Sequence, residues 1–133
     1  MTNNINVTLD TSVTPNVLNI DDKGNIKISK NSNPQTISWN LTGNLAQGEF
    51  VSMCGNAPGF EWVTNPAPGA DIFGEPQIGA NGNSLDLVDN HPSDSSRGTW
   101  IYRLRVVLGG TVYQTTASTG ITSTSNNPII INE

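Results

Sequence analysis

With 133 residues, 13% of them charged, and a net charge of −5, the chain has the size of one small acidic domain. Cys54 is the only cysteine, which excludes an internal disulfide and a cysteine-ligated zinc centre. Three lysines and three arginines cannot form the clustered cations that neutralise a phosphate backbone, so no nucleic-acid partner is expected.

The N-terminal run Met1-Thr2-Asn3-Asn4-Ile5-Asn6-Val7 has neither a basic region nor an apolar core, so no cleaved secretory signal is expected. No apolar run approaches the ~20 residues of a membrane span. The single thiol favours a reducing cytoplasm, although a lysine-poor, Thr/Asn-rich surface also suits exported proteins.

Period-two alternation recurs along the chain, and helical spacing is nearly absent. Ile5, Val7 and Leu9 predict a first strand with one buried face. Val17–Ile20 and Asn25–Ser29 flank Asp21-Asp22-Lys23-Gly24 and read as a hairpin. In Gln35–Thr42, Ile37, Trp39 and Leu41 share a face. Glu49–Cys54 and Phe60–Val63 are shorter candidates, followed by a Pro/Gly-rich connection over Thr64–Gly74. Pro76–Ile78 and Ser84–Val88 flank Gly79-Ala80-Asn81-Gly82-Asn83.

Thr99–Leu108 gives the clearest alternation, with Trp100, Tyr102, Leu104 and Val106 on one side and Arg103 and Arg105 on the other. Gly109-Gly110 then predicts a tight hairpin into Thr111–Thr116. A Ser/Thr/Asn-rich stretch over 117–127 precedes Ile129–Ile131, read as a last strand with an exposed edge. The pattern predicts a single all-β domain, an antiparallel immunoglobulin-like β-sandwich of about seven to nine strands.

Four segments carry a resemblance: Phe73-Gly74-Glu75-Pro76, then Leu85-Asp86-Leu87-Val88-Asp89-Asn90, then Tyr102 in a glycine-led strand, then Pro128–Asn132. In this order they resemble small bacterial β-sandwich proteins labelled DP-EP, over about the C-terminal half. The chain departs from that pattern at Asn127, where aspartate is expected, and in the insertion at 117–127. The resemblance implies the sandwich and carries no assigned chemistry.

Single residues set limits on catalysis. His91 is the only histidine, which removes blue-copper and multi-histidine zinc sites. A Ser-His-Asp grouping would draw on His91 with Asp89 or Asp94, but no Gly-x-Ser-x-Gly is present. The turn-rich Asp89-Asn90-His91-Pro92-Ser93-Asp94 predicts an exposed loop histidine. Cys54, beside Met53, reads as a buried inert thiol.

Asp86, Asp89, Asn90 and Asp94 form an oxygen-rich set that a calcium ion would suit, although Asp and Asn also serve as turn residues. Trp39 and Trp100 are in phase with aliphatic neighbours and read as core. Trp62, with Glu61 and Asn65 nearby, offers an indole face for a sugar or peptide, against the plainer reading that Phe60 and Trp62 fill the core. The expectation is a non-catalytic binding or structural module working through protein or glycan contacts. The alternatives are a small enzyme with a loop-end acid/base site built from Glu61, His91 or Asp89, and a calcium-stabilised adhesion-type domain. Self-association through the Ile129–Ile131 edge is a further possibility.

Overall fold

The alternation becomes strands throughout a computed structural model that describes residues 2–12, 16–21, 25–30, 33–64, 67–91, 94–115 and 128–133. In chain order they are β1 (Thr2–Asp10), β2 (Val17–Ile20), β3 (Ile26–Ile28), β4 (Gln35–Leu41), β5 (Glu49–Phe50), β6 (Phe60–Trp62), β7 (Gln77–Ile78), β8 (Ser84–Asp89), β9 (Gly98–Leu108), β10 (Thr111–Gln114) and β11 (Ile129–Asn132). No α-helix occurs among the described residues; short 3-10 turns cover Gly43–Leu45 and Asp94–Ser96. These eleven strands exceed the expected seven to nine because β3, β5, β6 and β7 are only two or three residues long, each held by a longer partner. The 117–127 stretch lies outside the described residues.

Two sheets pack together. One has the order β2-β1-β4-β8-β7; the other runs β10-β9-β11-β3, with β5 and β6 also bonded to β9. Both are mixed, which corrects the expected antiparallel arrangement. β1 runs parallel to β4, and β11 runs parallel to β3. The cause lies in the predicted 17–29 hairpin, which does not form. β2 pairs with β1 and β3 pairs with β11, so the chain crosses between sheets there. β4 then returns beside β1 in the same direction.

A second correction concerns β11. It lies between β9 and β3, bonded on both sides, and is therefore not an edge. Three consecutive isoleucines suit such an interior strand, because both of its faces are at least partly covered.

The core fills the space between the sheets. From β9 come Tyr102, Leu104 and Val106, from β4 Ile37, Trp39 and Leu41, and from β8 Leu85 and Leu87, all buried. Trp39 Nε1 donates to Tyr102 Oη at 3.1 Å and ties one sheet to the other. Phe60 stacks on Tyr102 with centroids 5.4 Å apart, while Trp39 tilts against both rings. Each such pair contributes about 0.5–1.5 kcal/mol beyond its buried area. Burial pushes the Tyr102 phenol well above its usual range, so it remains a neutral hydrogen-bonding group.

Trp100 is only half-buried, packing edge-on against Phe73 and lying over Gly98. A Cβ at Gly98 would meet the indole at 2.8 Å, so a larger residue there would displace the ring. At the far end of β9, Gly109 and Gly110 both take positive φ (58° and 83°), as the two-residue turn into β10 requires.

Candidate functional site

Two places concentrate polar or accessible chemistry: a sealed corner beneath the ends of β8 and β11, and an open groove between β5 and β7.

The corner begins with strand phase. Leu85, Leu87 and Asp89 alternate inward on β8, so the carboxylate enters the core at the position where a leucine would continue the pattern. Asp89 is 0% exposed. Its Oδ1 accepts from Asn132 Nδ2 at 3.1 Å, and the same amide nitrogen donates to the Ser96 main-chain oxygen at 3.0 Å. Burial, only partly offset by that hydrogen bond and by His91, pushes the Asp89 carboxyl up to about 6. Asp89 Oδ2 and Asn132 Oδ1 are buried without a hydrogen-bond partner.

His91 corrects the expectation of an exposed loop residue, being 2% exposed. Its Nε2 lies 2.6 Å from the Glu133 main-chain oxygen and its Nδ1 2.6 Å from Ser96 Oγ. A main-chain oxygen can only accept, so Nε2 carries hydrogen and donates to Glu133, while Nδ1 shares a hydrogen bond with Ser96 Oγ. Sequence reasoning missed Ser96, Asn132 and Glu133, because these contacts span up to 43 residues and carry no local signal.

This grouping has the parts of a nucleophile and base without their access. Ser96 is 4% exposed, and the second ring nitrogen is engaged by Glu133 rather than by Asp89. The hydrogen bonds of this buried group tie β11 and the 94–96 turn to β8. Phe73 and the Asp89–Asn90 segment lie beside this corner, whereas Tyr102 meets Pro128 at the opposite end of β11. Phe73 bridges Asp89, Asn90 N–H donates to Ile72, and Tyr102 N–H donates to Pro128.

The expected calcium set is dispersed. Asp86 and Asp89, three residues apart on β8, point to opposite faces, and Asp86 accepts from Ser38 Oγ at 2.5 Å. Asp94 pairs with Lys30 at 2.9 Å, and that hydrogen bond and charge hold its carboxyl below the usual range. Among the described residues no three His, Cys, Asp or Glu side chains are grouped as a metal site would require.

The aromatic candidates also separate. Neighbours on a strand face opposite ways, and Glu61 points outward to Arg105 at 2.6 Å and Arg103 at 3.3 Å. Trp62 turns inward, with its ring 5.0 Å from Phe60 and 4.8 Å from Phe73. Asn65 lies outside the described residues. Cys54 is exposed, which corrects the buried reading: β5 ends at Phe50, and Met53-Cys54 is a turn.

The groove lies where the edges of the two sheets part, an open depression of about 750 Å³. Phe50, Met53, Ile78, Val107 and Val112 give it an apolar lining, and Val112 is 55% exposed. Phe50 N–H donates to Gly82 O at 2.8 Å and seams the sheets there. Gly82 takes φ +78°, and a Cβ on it would meet Glu49 Oε1 at 2.8 Å. Glu49 therefore sits against the turn, as the one charged side chain among the described residues that line the groove. No helix among the described residues is long and apolar enough to cross a membrane. No family model matches the chain, and no curated protein matches it either.

Proposed function

We propose that the chain is a non-catalytic binding module that receives a segment of a partner protein in the groove between β5 and β7. The observation that carries this reading is the groove itself, about 750 Å³ of open space whose lining includes Phe50, Met53, Ile78, Val107 and Val112. The sealed state of His91 and Ser96 adds support, since the chain's one histidine is committed to holding strands together. We also read the two-sheet packing as immunoglobulin-like. The glycine-led β9 bearing Tyr102, and the Trp39–Tyr102 hydrogen bond between the sheets, favour that reading.

The test is selection of displayed peptides on the immobilised protein, with Val112→Asp as the parallel target. Peptides that bind the parent at least about tenfold better than the variant support the groove, a difference worth about 1.4 kcal/mol. Peptides that bind both equally place the contact elsewhere. Capture on a glycan array that is abolished by Trp62→Ala would replace this reading with a sugar-binding one.

A further inference from the structure

Resting on that reading, we infer that the groove's occupant is an extended, cationic segment that adds as a strand beside β7 and brings a lysine or arginine to Glu49.

Main-chain geometry at β7 favours strand addition. Among the described residues β7 is the terminal strand of its sheet, bonded only to β8. Gly79 N–H donates to Ser84 O, so Gly79 and Ser84 form a hydrogen-bonded pair. Antiparallel ladders alternate bonded and non-bonded pairs, so Ile78 opposite Leu85 is a non-bonded pair. The N–H and C=O of Ile78 therefore point away from β8. Its side chain, in phase with inward Leu85, packs partly against the core. Pro76, which also lines the groove, has no N–H and limits how far a neighbour can zip along this edge. One residue thus offers a main-chain donor and acceptor beside an apolar wall, which suits strand addition by a short segment.

Charge at the groove favours a cationic segment. Among the described residues, Asp94 and Glu61 are ion-paired, whereas Glu49 has no ion pair. Its carboxylate stands in the groove against Gly82, on a chain whose net charge is −5. An anionic segment would meet both the local carboxylate and the overall field; a cationic one is attracted by both. The apolar lining, with Val112 and Val107 opposite each other across β9 and β10, suits β-branched or aliphatic side chains beside that cation.

The probes are the groove-dependent peptides recovered by the selection described above, measured against the full chain at low and high salt. The expected result is enrichment in lysine or arginine, with affinity falling about five- to tenfold in Glu49→Lys and about as much from low to high salt. Amide exchange at Ile78 is expected to slow by tenfold or more in the complex. Peptides that depend on Val112 but are neutral or acidic, or that bind Glu49→Lys unchanged, overturn the cationic assignment and leave the groove intact. An Ile78 amide that exchanges at the free rate in a saturated complex overturns strand addition. Failure to recover any Val112-dependent peptide overturns the groove itself. Circular dichroism melting of both variants confirms that each is folded before its affinity is read.

Discussion

Two carboxylates define opposite uses of polarity in this small fold. Asp89 is wholly enclosed, hydrogen-bonded to Asn132, and surrounded by His91, Ser96 and the end of β11. Glu49 stands in the groove without an ion pair among the described residues. The enclosed group serves the structure at a solvation cost, because its partners satisfy only part of its hydrogen-bonding capacity. The open group costs the fold little and remains available to a partner. Loss of the first kind should therefore appear in stability, and loss of the second only in binding.

The largest effect is expected at His91. Replacing it with alanine removes two short hydrogen bonds and leaves a void, and should cost about 3–4 kcal/mol in urea unfolding. A change below about 1 kcal/mol would mean that the corner does not hold β11.

Asp89 comes next, and its effect depends on pH. Its folded pKa of about 6 lies above the ordinary 3.8, so the native state binds the proton more tightly than the unfolded state. Its stabilising contribution is fully present below 3.8, declines as pH rises, and is lost above about 6. Between those limits stability should fall by an amount on the order of 3 kcal/mol. Asp89→Asn should flatten that segment of the stability–pH curve, and an unchanged slope would assign the dependence to another group.

Tyr102→Phe removes the acceptor for the buried Trp39 indole and should cost about 1–3 kcal/mol by thermal or urea denaturation. Glu61→Gln loosens a half-exposed pairing with Arg103 and Arg105 and should cost under about 1 kcal/mol. Glu49→Gln should leave the unfolding midpoint unchanged. A marked loss there would make Glu49 a structural residue and remove the contrast drawn above.

The fold was legible wherever one strand's own phase decides the outcome. Trp39, Tyr102, Leu104 and Val106 point inward as their spacing predicts, and Arg103 and Arg105 point outward to Glu61. Phase does not name a strand's neighbour. Val17–Ile20 and Ile26–Ile28 look like two arms of a hairpin, yet each pairs with a distant strand in a different sheet. His91 failed for a related reason. Proline, serine and aspartate around it signal a turn, but the groups that bury it arrive from Ser96 and Glu133. The groove was invisible in sequence because its walls come from segments that share no pattern, namely 49–53, 76–82 and the β9–β10 pair.

The parallel partnership of β3 and β11 has a kinetic consequence. Ile26 lies opposite Ile130, so closing this part of the sheet joins points on the order of a hundred residues apart. Contacts of that span lose chain entropy before they return any stabilisation, which places the domain among slow, topology-limited folders. Until residues 129–132 insert, the first half of β9 and all of β3 present two bare rows of amides and carbonyls. A chain shortened at that strand would expose the same rows permanently, as a template for intermolecular β-aggregation.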